Sequence, residues 1–396
     1  MKLTLRQQIT QFAHVLQSAL FPALEEELGA LTTAAKRLVA TLEMIPLARF
    51  LPSCRGWMGR PSKDRYAIAC AFVAKTVYGF STTRQLLEAL ERDAQLRRIC
   101  GWEKARQVPH EATFSRAFGE FAQMQLPQFV HEALIRETQK DRLIGHIARD
   151  ATAIPARERF PETPAQAAER KAATQARRTG RVRGKKGPRG PHKRYQGGKP
   201  PYRPQPDTRL QRQRTLSLAA MLADLPQQCD LGGKKNSQGN TEYWRGYKLH
   251  LDVADGQIPI SCVLTSASVH DSQVAIPLAT MSTQRVTYCY ELMDAAYEAH
   301  HIVEQSRALG HVPIVDPAQR GRKKPGFLAK LPRELGGAEQ VRYRERTMVE
   351  RVHARLKDEF GGRHLRVRGP AKAMAHLMFG VLALTVDQLL RLEGSA

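Results

Sequence analysis

A chain of 396 residues, 42% hydrophobic and 25% charged, has room for two or three domains and the composition of an ordinary globular protein. Its 62 Lys and Arg against 38 Asp and Glu leave a net charge of +24, an excess that implies a polyanionic partner, with nucleic acid first among them. Six scattered cysteines (Cys54, Cys70, Cys100, Cys229, Cys262 and Cys289) have no paired spacing, which argues against a zinc site or a disulfide framework and favours a reducing compartment.

No long apolar run follows the N-terminus, so no signal peptide is expected. Residues 1–50 carry helical periodicity, in Ile9, Phe12, Val15, Leu16 and Leu20 and again in Ala35, Leu38, Val39 and Leu42. A second helical block follows residues 59–62, runs through Tyr66, Ile68, Cys70, Phe72 and Val77, and breaks at Gly79. Thr82 and Gln85 form a capping box for a helix over 85–90. A turn at Val108-Pro109-His110 leads into residues 112–118, an arrangement compatible with a helix-turn-helix or with a plain helical bundle.

The first strand-like run, 143–149, ends on Asp150, where an Asp is most often a turn residue or helix cap. Composition then changes. Residues 170–215 hold sixteen Lys and Arg and one acid, Asp207, with many Gly, Pro and Gln. Such a segment cannot bury a core, and it reads either as a sequence-blind clamp on DNA phosphates or as a tolerated basic insertion. Residues 247–253 alternate, 254–257 turn and 258–264 return, an antiparallel hairpin. Asp271 or Ser272 starts a helix, with His270 and Asp271 in a capping role. A strand over 286–293 ends on Asp294, a fifth covers 311–315, and 320–325 form a second basic loop. Residues 371–392 approach membrane length but contain His376, Asp387 and Gln388, so they read as a buried core helix and the protein as soluble and cytoplasmic.

Residues 343–357 lack Gly and Pro and place Met348, Val349, Val352 and Leu356 on one helix face. At about 100° per residue, Arg346, Glu350 and Lys357 fall within roughly 60° of Tyr343, giving a row about 21 Å long. A carboxylate among cations suits metal-dependent phosphoryl transfer, and equally suits a solvated face laced with ion pairs.

The spacing of Tyr343, Arg346, Glu350 and Lys357 resembles the motif around the last acid of DDE-type insertion-sequence transposases. Asp150-Ala151-Thr152-Ala153-Ile154-Pro155 resembles the first-acid motif of that family, and Asp294-Ala295-Ala296-Tyr297 the second. Residues 59–121, with 109–116 as the nearest match, look like the family's N-terminal domain. The resemblance implies an RNase H-like α/β fold, a mixed five-stranded sheet with flanking helices, after an all-helical N-terminal domain. The expected boundaries are 1–140 for a helical DNA-binding domain, 141–155 with 240–395 for the catalytic domain, and 156–239 for a basic, largely disordered insertion. It further implies that Asp150, Asp294 and Glu350 hold two Mg²⁺ ions, with Mn²⁺ able to substitute, and that Tyr343, Arg346, Lys357 and Arg116 contact DNA. The implied partners are double-stranded DNA, as inverted-repeat ends and target, and a second copy of the chain in a synaptic homodimer, with no membrane and a nucleoid-associated cytoplasmic location. A related nuclease that cuts without joining, or a non-catalytic DNA-binding relic, would carry similar patterns.

Overall fold

Side-chain caps set where most helices of the first 140 residues begin, the two that start at Phe21 and Leu126 having Pro in the first turn instead. The computed structural model describes residues 4–51, 63–158, 208–235, 239–317 and 335–394, with three isolated positions between 168 and 175. The early helices are α1 (Leu5–Val15), α2 (Phe21–Leu28), α3 (Thr33–Met44), α4 (Arg65–Val77), α5 (Thr83–Arg92), α6 (Ala94–Ile99), α7 (Glu111–Gln123) and α8 (Leu126–Gln139). The Asp64 carboxylate accepts the amides of Tyr66 and Ala67 at the start of α4. The expected Thr82–Gln85 box forms reciprocally at α5, at 3.1 and 3.2 Å. His110 caps α7, its Nδ1 accepting the Ala112 amide at 3.2 Å.

Between the two arrangements left open for this region, the packing is that of a bundle. Residues 100–110, with a 3₁₀ turn at Ala105–Gln107, separate α6 from α7, longer than the three or four residues of a helix-turn-helix connection. The inner face of α7 is buried: the Phe72 ring on α4 lies 5.8, 4.8 and 6.2 Å from those of Phe114, Phe118 and Phe121.

Strand β1 (Leu143–Pro155) opens the sheet and is followed, among the described residues, by α9 (Arg209–Gln213), α10 (Leu218–Ala223), β2 (Asp230–Lys235), β3 (Thr241–Ala254), β4 (Ile258–Ser266), α11 (Ser272–Thr283), β5 (Thr287–Met293), α12 (His300–Ala308) and β6 (Val312–Val315). Helices α13 (Gly337–Tyr343), α14 (Thr347–Asp358) and α15 (Pro370–Gly394) close the chain. β3 pairs antiparallel with β1 and β4, while β5 is parallel to β1 and β6 to β5. The mixed sheet and its helical preface agree with the expected class.

Three details depart from the expectation. Among the described residues the sheet has six strands, because β2 pairs with residues 241–246 of β3. The basic segment is also shorter than its composition suggested: α9, α10 and β2 occupy residues 209–235, with Met221 and Leu225 buried and Arg209, Arg212 and Arg214 tied to Asp224 and Glu304. Apart from three isolated positions, residues 159–207 of that segment lie outside the described residues, as do 236–238 and the 320–325 loop. β1 does not stop at Asp150 but runs on to Pro155, because β3 pairs with it as far as Pro155–Gly246 while β5 pairs only to Arg149–Met293.

Gly246 stands where β1, β2 and β3 meet, paired with both Pro155 and Asp230. Its φ is +152°, and a Cβ there would run into the Ile154 carbonyl. Gly246→Ala should therefore cost about 1–3 kcal/mol, read as a lowered urea midpoint. An unchanged midpoint would mean that the strand crossing relaxes freely.

The hydrophobic core is continuous from the early helices to the sheet, and α15 is its spine, packing on α4, α7, α8 and β4. By length and composition α15 could cross a membrane, yet 83% of its most apolar window is buried inside the protein, as expected for a core helix.

Candidate active site

Parallel register brings the two aspartates together. Ala148 pairs with Leu292 and Arg149 with Met293, so the next positions in line are Asp150 and Asp294. β5 ends there because Asp294 turns the chain: its Oδ1 accepts the Ala296 amide at 2.9 Å, capping the 3₁₀ turn Ala295–Tyr297. Strand alternation puts Ala148, Asp150 and Thr152 on the sheet face that α14 covers, and α14 packs on β1 and β3. It does so with Met348, Val349, Val352 and Leu356, all buried.

The expected single helix over 343–357 is interrupted. α13 ends at Tyr343, a 3₁₀ turn covers Arg344–Arg346, and α14 starts at Thr347. The Thr347 hydroxyl donates to the Arg344 carbonyl at 3.1 Å, a local bond that competes with the regular helical pattern. Tyr343 is accordingly on a different helix from Glu350, though the Arg346 guanidinium still lies 5.7 Å from its ring centroid.

Arg346 is the hub. It donates to Glu350 Oε1 at 2.6 Å and sits 4.0 Å from Asp150 Oδ2, and Asp294 also acts on its charge. Burial pushes the Asp150 carboxyl up to about 6, with the Asp294 charge adding to the shift and the Ala151 amide and Arg346 opposing it. His353 Nδ1 is 3.9 Å from the same carboxylate. Burial, then the Lys357 charge, holds that imidazole down to about 3, so it is neutral. Lys357 donates to Thr152 Oγ1 at 2.6 Å, two residues beyond Asp150. Burial pushes the Tyr343 phenol up to about 12.

Five of the sequence candidates, Asp150, Asp294, Tyr343, Arg346 and Glu350, thus share one centre, with Lys357 beside it. Arg116 does not join them: it is exposed on α7 in the helical region. Among the described residues no three His, Cys, Asp or Glu side chains form a ready metal cluster, and Arg346 stands beside both Asp150 and Glu350. The donors nevertheless suit a hard divalent cation. All are carboxylate oxygens, and the ionisation of Asp150 that burial and Asp294 oppose is what a cation would favour.

Sequence reasoning missed several neighbours. His353 is three residues from Glu350, a helical spacing that could have flagged it, and Thr152 follows Asp150 at strand spacing. Lys234, on β2, contributes positive charge at Asp150 and Lys357. On the opposite face of β1, Arg149 makes a bidentate pair with Asp252 (2.8 and 2.9 Å) and a second pair with Glu291, all three fully buried.

A meander of β1, β3 and β4, followed by β5 and β6 parallel to β1, with an acid where β1 and β5 part, defines the RNase H-like class of nucleic-acid-processing domains. Residues 208–386 match the family model for the transposase DDE domain, and residues 26–120 match a second one, the transposase domain DUF772. The chain belongs to the DDE-type insertion-sequence transposases. Such a domain implies an enzyme that cuts and transfers DNA strands, in a family that uses divalent metals. Comparisons with curated proteins and with solved structures return no significant match.

Proposed function

We propose that this transposase binds the terminal inverted repeats of its own element as a homodimer, in the cytoplasm at the nucleoid, and catalyses Mg²⁺-dependent cleavage of the ends and their transfer to target DNA. The observation that carries the reading is the arrangement of Asp150, Asp294 and Glu350 around the Arg346 guanidinium, on a face that Lys357 and Lys234 keep positive. Asp150, Asp294 and Glu350 would hold the metal. The chemistry supplied by a bound pair of Mg²⁺ ions is activation of the attacking water or 3′-hydroxyl and stabilisation of the leaving oxygen.

The protein's own groups bind and orient. Arg346 offsets the repulsion between the acids and offers a planar donor fork to a terminal phosphate. Tyr343 presents a phenol that stays protonated at neutral pH, able to donate to a phosphate oxygen or lie against a terminal base. Lys357, anchored on Thr152, places a positive charge along the strand that carries Asp150. The test is incubation with end DNA, a target duplex and Mg²⁺. Joined products support the reading, whereas cleavage without joining would make the protein a nuclease of the same fold.

The environment of Asp150 adds a pH dependence. Its folded carboxyl titrates at about 6, above the ordinary 3.8. The folded state therefore holds that proton more tightly, and the resulting stabilisation is complete below about pH 4 and is lost as pH rises through about 6. Metal-free wild type should lose stability relative to Asp150→Asn across that window in thermal melts, and Mg²⁺ should restore it at neutral pH. Cleavage should run the opposite way, rising through pH 6 as the carboxylate ionises. Parallel melting curves for the two proteins from pH 4 to 7 would mean that burial does not raise the Asp150 carboxyl.

A further inference from the structure

A cavity of about 560 Å³ lies between α4, α5, α7 and α15, away from the carboxylate centre. Lys75, Arg366, Arg368 and Lys372 line it, against the single carboxylate of Glu111. His376 also lines it, but burial pulls that imidazole down to about 4 and its Nε2 lies 3.1 Å from the Gly361 carbonyl, so it adds no charge at neutral pH. The N-terminus of α5, with Thr82 and Thr83, opens on the same space.

Lys75 is the informative residue. It projects from α4, whose surrounding residues are core, and no described side chain pairs with its ammonium. Burial pushes it down to about 8. A cation held in a cavity among other cations, with one acid to four bases, is stabilised by an anion from outside. The Lys372 side chain, packed over Gly119 of α7, and the two arginines make the opposite wall.

The cavity is fixed relative to the acids. Arg366 and Arg368 stand in the connection from α14, which carries Glu350, to α15. That connection is tied to the end of β1: the Gly369 amide donates to Glu158 Oε1 at 2.8 Å, and the Tyr247 hydroxyl donates to the same oxygen at 2.7 Å. An anion bound here is therefore held at a set distance from Asp150 and Glu350 by the two elements that bear them.

We infer that the Lys75 cavity binds a phosphate of duplex DNA, a backbone anchor outside the cleavage centre; this rests on the transposase reading above. The anchor reads charge, not sequence, so its effect falls on all duplexes alike.

The test measures the salt dependence of affinity for a short duplex of arbitrary sequence. Lys75→Gln and Lys372→Gln should each reduce the slope of log affinity against log salt by about 0.9, the loss of one phosphate contact, while Lys36→Gln, a cation remote from the cavity, leaves it unchanged. Should Lys75→Gln fail to fold, the exposed Lys372→Gln carries the comparison. A second arm asks whether inorganic phosphate raises the melting temperature of wild type but not of Lys75→Gln. Protection without any slope change would overturn DNA as the source and assign the site to free phosphate. No slope change and no protection would overturn the cavity as an anion site. Wild type that ignores duplex DNA altogether, yet is protected by phosphate through Lys75, would sink the transposase reading and leave the cavity standing.

Discussion

Asp150→Asn, Asp294→Asn and Glu350→Gln should each lower cleavage of end DNA by about 10³-fold or more, with duplex affinity changed no more than a few-fold. Each substitution keeps size and removes one ligand charge, and the transition-state stabilisation lost with a bound divalent cation is several kcal/mol, at about 1.4 kcal/mol per factor of ten. The local structure survives all three. An asparagine at 294 retains the oxygen that accepts the Ala296 amide, position 350 is exposed, and at 150 the change relieves a burial that already disfavours the charge. Affinity holds because phosphate contacts come from cations, none of which is altered. Single-turnover cleavage beside a gel-shift titration separates the two effects. Near-normal cleavage by any one variant would strike that residue from the site.

How much of this was legible depends on where the signal sits. The motif of Tyr343, Arg346, Glu350 and Lys357 is local, so its spacing in the chain survives into space even though a 3₁₀ turn divides it. Strand alternation and the turn at 254–257 made the β3–β4 hairpin readable, and the register of β1 with β5 then carried Asp150 to Asp294. β2 was hidden because Gly232, Gly233, Lys234 and Lys235 have poor strand propensity and fall within the stretch assigned to the basic insertion. What makes them a strand is tertiary: the rings of Trp244 and Tyr243 on β3 lie over the two glycines, and a Cβ on Gly232 would stand 2.5 Å from Trp244. The helical region was legible only as two alternatives, a helix-turn-helix or a plain bundle, because what decides between them is distant: the phenylalanines of α7 pack into a core shared with α15, hundreds of residues later in the chain. The family match over 208–386 includes Asp294 and Glu350 and begins after Asp150, so the first acid rests on its motif and on sheet register.

Arg149→Met should destabilise the protein by roughly 3–5 kcal/mol, because among the described residues it strips the only cation paired with two buried carboxylates. Asp252 keeps the Ser282 hydroxyl at 2.7 Å, and Glu291 keeps Tyr288 at 2.6 Å together with Ser306, but neither set offsets a full charge away from water. In wild type, burial opposes the ionisation of Glu291, yet Arg149 and these hydroxyls together hold its carboxyl below the ordinary 4.5. That contribution is present above pH 4.5 and is lost as pH falls through the lowered value. Asp252, by contrast, is held above the ordinary 3.8 by burial even with Arg149 beside it. With the cation gone both acids favour protonation, so the variant's deficit against wild type should shrink as pH drops from 7 toward 4. Urea midpoints across that range measure the difference. A further variant, Arg149→Met with Asp252→Leu and Glu291→Leu, should recover most of the loss, since a packed apolar set replaces the charges. The consequence for the site follows from geometry. Arg149 bridges β3 and β5 across β1, one residue before Asp150, so the same clamp that resists unfolding holds Asp150 level with Asp294. Below its melting point, Arg149→Met should therefore need more Mg²⁺ for half-maximal cleavage, and the triple variant, lacking the clamp but stable, should need as much. If the triple variant cleaves at the wild-type Mg²⁺ requirement, the triad serves stability alone and β1 keeps its register without it.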